Sequence, residues 1–167
     1  HPVQVCCWGH GPVTEDDFFN KTVESFSNES ALFHMSNGST MRICEFRELG
    51  YTGREDFRIY GTGGSYEFDH WVDQEGRTEL TVEQMRDKLP DEVEAAFKAA
   101  RPDHDVYGGH GGSHAYLVHE FVDAIAAGRT PEVDVYQGVQ MMAAGAVAHK
   151  SALRDGELLE VPQWSRP

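Results

Sequence analysis

The sequence predicts an α+β domain: an open, mostly antiparallel β-sheet with α-helices packed on one face. Three observations carry that expectation. Short β-rich runs joined by tight-turn signals fill the first part of the chain. No crossover helix separates them, so neighbours pair antiparallel. Long stretches with helical periodicity fill the last third.

Val3–Trp8 is β-branched and Cys-rich and reads as a first strand. Residues 9–20 form a loop with an acidic run. Ser30–Met35 is the next strand, and Asn37-Gly38 after it signals a hairpin, because both residues tolerate positive φ. Ser39–Arg47 returns. Gly50–Gly53 turns the chain again, Phe57–Tyr60 alternates as a strand, and Gly61–Gly64 turns it into Ser65–Phe68. The polar stretch 69–89 holds one more short strand, Arg77–Val82. Asp91–Ala100 has good helix formers and acids at its start, and Pro102 stops it.

Ser113 is positioned to cap a helix running to about Ala127, ended by Gly128. Leu117, Val118, Phe121 and Ile125 share one face of it. Asp134 caps the next helix, with Gln137 as capping-box partner, and that helix runs to about Arg154. Its small residues, Ala143–Ala148, permit close packing. Leu158–Val161 is a closing strand.

The chain has 167 residues, enough for one domain with a core. It begins with His1 inside a strand rather than with Met, which suggests a piece of a longer or processed protein. The net charge of −14 and the scattered Lys and Arg argue against nucleic acid as a partner. No apolar run is long enough to span a membrane. Cys6 and Cys7 are neighbours on a strand and point to opposite faces. With Cys44 they read as small buried thiols in a reducing, cytoplasmic compartment. Asn20, Asn28 and Asn37 stand in Asn-x-Ser/Thr sequences; Asn37 is better explained by its turn.

Gly61-Thr62-Gly63-Gly64 resembles a phosphate loop, but it lies between strands and Tyr66 stands where a third glycine is needed. It reads as a hairpin turn. The stretch from Tyr107 to Tyr116 is more informative. Its glycines are costly to order and feed a helix N-terminus, where free N–H groups can face a ligand. His110 and His114 can donate, accept or shuttle protons, and Tyr116 can stack on a sugar. A Gly-rich linker with surface histidines is the plainer reading. His104, His110, His114 and His119 are wrongly spaced for a metal site, since His114 and His119 diverge on a helix. Trp8, Trp71 and Trp164 read as core or interface residues rather than sugar platforms.

The segments Gly38–Arg47, Phe57–Glu67, His110–Val122, Gly128–Pro131, Asp134–Tyr136, Ala148–Arg154 and Val161-Pro162, in this order, resemble the C-terminal half of the Gfo/Idh/MocA oxidoreductases. That is the family of glucose–fructose oxidoreductase and inositol dehydrogenase. The resemblance implies that residues 1–167 form a C-terminal substrate-binding and oligomerisation domain. It implies an N-terminal Rossmann domain binding NAD or NADP, which is absent from this chain. No Glu-Lys-Pro segment and no Asp-x-x-x-His helix occur here, so the cofactor site and most catalytic groups are expected elsewhere. The domain is expected to be inactive alone. What carries over is a set of substrate-binding residues, His110, Ser113, His114 and Tyr116, with a sugar or cyclitol as substrate and the sheet as a homo-oligomer interface. Two other readings stay open: a branch that cleaves glycosidic bonds through transient oxidation by a held NAD, and a non-catalytic assembly domain.

Overall fold

A computed structural model describes residues 1–11, 26–50, 55–100 and 109–165, with backbone alone for 109–111. The expected loop through residue 20, the turn at 50–53, the stop at Pro102, and His104 lie wholly or mainly outside those residues. The chain divides into two compact units, His1–Gly53 with Val133–Pro167, and Arg54–Glu132.

The first unit is a four-stranded sheet in the order β3-β2-β1-β8. Its strands are β1 (Pro2–His10), β2 (Asn28–Met35), β3 (Thr40–Phe46) and β8 (Leu159–Glu160). Every pairing is antiparallel, with Cys7 opposite Ala31 and Ala31 opposite Ile43. Side chains alternate between faces along each strand. Val5 and Cys7 therefore point the same way as Ala31 and Phe33, and all four are buried. The long helix α4 (Val135–Ala152) covers them with Ala144, Val147, Ala148 and Ala152. Small residues on that face let the helix sit close to β1. Asp134 caps α4: its side chain accepts from the Gln137 N–H, and the Gln137 side chain accepts from the Asp134 N–H.

The second unit holds a small antiparallel sheet in the order β4-β5-β6-β7. Its strands are β4 (Ile59–Tyr60), β5 (Ser65–Glu67), β6 (His70–Asp73) and β7 (Gly76–Glu79). The helices α1 (Val82–Met85), α2 (Asp91–Ala100) and α3 (Gly109–Ala127) follow.

The α+β class, the antiparallel pairing and the helix on one sheet face hold. Several boundaries move. The strands belong to two sheets instead of one continuous meander. The Asn37-Gly38 hairpin is a three-residue loop: only Gly38 has positive φ, at +83°, while the Asn37 carboxamide accepts from the Ser39 N–H at 3.1 Å and from its hydroxyl at 2.7 Å. Within 69–89 the expected single strand is instead a hairpin of β6 and β7 followed by a capped turn of helix. Trp71 and Asp73 stabilise that hairpin from within, the indole N–H donating to the carboxylate at 2.6 Å. Of the three cysteines, only Cys7 is buried; Cys6 is partly buried and Cys44 exposed. Burial, with the nearby Glu29 carboxylate, pushes the Cys7 thiol up to about 11.

Candidate functional site

α3 carries the residues expected to meet substrate. It begins at Gly109, four residues before the expected Ser113 cap, so part of the Gly-rich stretch is helix. Gly112 is the exception inside it, with φ at +92°. An L side chain there would be strained, so glycine is required at that point. Ser113, His114 and Tyr116 follow this irregularity in the next turn, and the backbone of His110 precedes it. Ala115, wholly buried, anchors that turn. His114 is exposed, while Ser113 and Tyr116 are partly buried. Ser113 and Tyr116 are three apart on the helix, hence on one face. The Arg86 guanidinium lies 5.7 Å from the centre of the Tyr116 ring, a cation–π contact that limits how the ring turns.

The far end of α3 is held by an ion cluster. Arg129 donates to both oxygens of Glu120, at 2.7 Å each, and to Asp123 at 2.7 Å. The Glu132 N–H also donates to Glu120, at 2.8 Å. The Arg129 hydrogen bonds, with that backbone donor, hold the Glu120 carboxyl down at about 2. Gly128, at φ +64°, ends the helix as expected. The expected apolar face of α3 is real as a stripe but not buried: Leu117, Val118, Phe121 and Ile125 are more than half exposed.

The first unit contains a feature the sequence did not announce. The inner faces of β2 and β3 and the flank of α4 enclose an open groove of about 1020 Å³. Phe33, Met41, Ile43, Met141 and Ala144 supply its apolar lining. Glu29 and Glu45, direct partners across β2 and β3, line it as well. Glu29 is paired with His149 Nδ1 at 2.6 Å and Glu45 with Arg47 at 2.6 Å. Strand alternation placed Glu29 and Glu45 inward, but only the position of α4 over β1 shows that their surroundings stay open.

Among the described residues no group of three His, Cys, Asp or Glu could hold a metal. No described helix is long and apolar enough to cross a membrane. Gly61–Gly64 closes the β4–β5 hairpin, with the Gly61 N–H donating to the Gly64 carbonyl at 3.0 Å, so this loop lacks the helix N-terminus that would face a phosphate.

Solved structures share this fold. Levoglucosan dehydrogenase, solved with NADH and levoglucosan, superposes with a TM-score of 0.67 at 18% identity, over 98% of this chain and 46% of that one. The myo-inositol 2-dehydrogenase of Lactobacillus plantarum gives 0.57 at 15% identity, over 96% of this chain and 42% of that one. The fold of this chain is thus one that these dehydrogenases carry over somewhat less than half of their length. More particularly, residues 29–167 match the family "Glycosyl hydrolase 109, C-terminal domain", and the chain belongs to that family. A glycosyl hydrolase family 109 protein of Stenotrophomonas maltophilia (strain K279a) is 27% identical over 130 residues, which are 77% of this chain and 29% of that protein. The chain spans less than half the length of these solved structures and less than a third of this relative.

Proposed function

We propose that this chain is the substrate-side domain of a longer NAD-dependent enzyme that cleaves glycosides by transient oxidation of the sugar. The match to the glycosyl hydrolase 109 family over residues 29–167 carries the reading. The fold supports the redox part, because neighbours with the same fold are sugar dehydrogenases, one of them solved with NADH and levoglucosan. A nicotinamide would supply hydride acceptance and return. In this reading the part of this chain is to bind and orient the sugar.

In this reading Ser113 and Tyr116 offer hydroxyls from one face of α3. The imidazoles of His114 and His110 donate to or accept from sugar hydroxyls near neutral pH. The ring of Tyr116, steadied by Arg86, gives an apolar surface for the sugar face. A free sugar released with no net change in NAD would support glycosidase chemistry. Stoichiometric accumulation of NADH with an oxidised sugar would favour the second reading, a net dehydrogenase, to which the solved neighbours point.

The outer face of the first sheet carries Trp8, Leu32 and Phe46, each more than two-fifths exposed. On it rests a further part of the proposal, a homo-oligomer formed through this sheet, because exposed apolar side chains gathered on one sheet face are normally covered. Sedimentation of the full-length protein tests it: a dimer or tetramer is expected, and a monomer at micromolar concentration would overturn it.

A further inference from the structure

The turn between β5 and β6 holds two residues where glycine would fit more easily. Phe68 and Asp69 both have positive φ, at 50° and 59°, and Glu67 pairs with His70 across them. That is the two-residue hairpin turn usually built from Asn-Gly, and a phenylalanine is poorly suited to it. The turn brings the Phe68 ring and the Asp69 carboxylate to the border of one pocket of about 260 Å³, with Phe57, Tyr66 and Val82 among its other walls. The Leu80 N–H donates to the Asp69 carbonyl at 2.8 Å and ties the turn to the start of α1, which supplies Val82.

Three aromatic rings and a carboxylate around one small pocket define a kind of ligand. Phe57 stacks on Tyr66, with ring centres 4.9 Å apart and planes 15° from parallel. Aromatic faces carry negative charge density and attract cations. Phe68 already shows this, since the Arg58 guanidinium lies 4.4 Å from its ring centre. Arg58 also lies 3.8 Å from Asp56, a further carboxylate at the pocket. Asp69 differs from Asp56 in its partner. Its carboxylate accepts from the Tyr66 hydroxyl at 3.1 Å, and a neutral donor leaves the negative charge in place. The Tyr66 phenol feels that field: burial, the hydrogen bond to Asp69, and the Asp69 and Glu83 charges all push it up. A neutral sugar or an apolar group would use the rings without the charge. An alkylammonium uses both, and a volume just under the about 300 Å³ of the smallest drug-sized pockets suits a head group of that size.

We propose that this pocket binds a small organic ammonium ion, with its head against Phe57 and Phe68 and its charge met by Asp69. The pocket shares no residue with the sugar-binding turn of α3, and the proposal does not rest on glycoside chemistry. α1 lies between the two: Val82 lines the pocket, and Arg86, which caps the same helix, lies 5.7 Å from the centre of the Tyr116 ring.

Isothermal titration calorimetry of the full-length protein with choline tests this, at constant ionic strength held with sodium chloride. The control ligand is 3,3-dimethylbutan-1-ol, which has choline's shape with carbon in place of the charged nitrogen. Choline should bind with a Kd of about 1 mM or tighter, and the neutral isostere about tenfold more weakly or worse. Asp69→Asn removes the charge and keeps a side chain that tolerates the left-handed turn; it should weaken choline by about tenfold or more. Phe57→Ala, at a half-exposed ring, should do the same. Should Phe57→Ala fail to fold, Asp69→Asn decides. No choline binding up to about 10 mM would overturn the proposal. Equal affinity for the isostere would overturn it too, because the pocket would then select apolar shape alone. Choline binding left unchanged by Asp69→Asn would place the cation elsewhere. Displacement of bound choline by a neutral methyl glycoside would also count against it, because the pocket would then be part of the sugar site.

Discussion

Ser151→Ala should cost more stability than a serine-to-alanine change in a helix usually does. Ser151 is wholly buried near the end of α4. Its hydroxyl oxygen accepts from the Cys7 N–H at 2.9 Å, and the hydroxyl donates to the Glu157 carbonyl at 2.6 Å. The arrangement follows from the sheet. β8 pairs only with Gln4 and Val5 on β1, so it ends before Cys7. One side chain therefore supplies the partner that a longer β8 would have given, and ties α4 to β1 and to the segment entering β8. Alanine leaves the buried Cys7 N–H without a partner, at about 1–3 kcal/mol. The Glu157 carbonyl lies in an exposed residue and can turn to water, so its loss adds little. Alanine's better helix propensity returns a few tenths of a kcal/mol. The net is a loss of about 2 kcal/mol. With a urea slope of about 2 kcal/mol per molar, the midpoint should fall by about 1 M at unchanged slope. Equilibrium urea unfolding followed by tryptophan fluorescence measures this. A shift below about 0.2 M would refute the assignment of Ser151 as the substitute strand partner.

Three further outcomes follow from the same geometry. Gly156→Ala and Gly128→Ala both place a side chain at positive φ, +82° and +64°, but only at 156 would the new Cβ run into the Trp8 ring. Thermal melts should therefore rank Gly156→Ala as clearly the more damaging, with Gly128→Ala near the roughly 1 kcal/mol of backbone strain alone; equal losses would contradict the Trp8 contact. The Glu120 carboxyl is held down from its ordinary 4.5 to about 2 by Arg129, so its contribution is full above pH 4.5 and is lost as pH falls towards 2. Arg129→Ala should flatten the fall of stability across that window, and an unchanged acid profile would argue against the ion cluster. In native protein a maleimide at pH 7.5 should modify Cys44 first and leave Cys7 untouched until denaturant is added, because Cys7 is buried and its thiol raised to about 11. Mass mapping that found Cys7 labelled at the rate of Cys44 would count against that burial.

Local chemistry made much of this fold legible. The Asp134–Gln137 capping box, the acids opening Asp91–Ala100 and the glycine closing α3 each act within a few residues, so the sequence displays them. The division into two sheets was not legible, because it depends on which strand edges meet at long range. β6 was missed because its Trp71–Asp73 bond stabilises a run too polar to alternate. The start of α3 was misplaced because glycine propensity argues against helix, whereas Gly109 and Gly111 are accommodated in one. For the site, the sequence drew attention to Ser113, His114 and Tyr116, and the fold puts them in one turn of α3. It did not reveal Arg86 beside Tyr116, since that pairing joins residues thirty positions apart. The groove was invisible for a similar reason: alternation tells which side chains point inward, not how far α4 extends over them.

The central claim is that α3 presents sugar-binding groups in a glycoside-cleaving redox enzyme, and His114→Ala in the full-length protein tests it most directly. The measurement is kcat/KM on a panel of aryl glycosides, with melting temperature recorded alongside. Loss of a hydrogen bond between the imidazole and a sugar hydroxyl should lower kcat/KM by about tenfold or more, and the melting temperature separates that loss from any loss of folded protein. Unchanged kcat/KM across every glycoside that the parent cleaves would contradict the account.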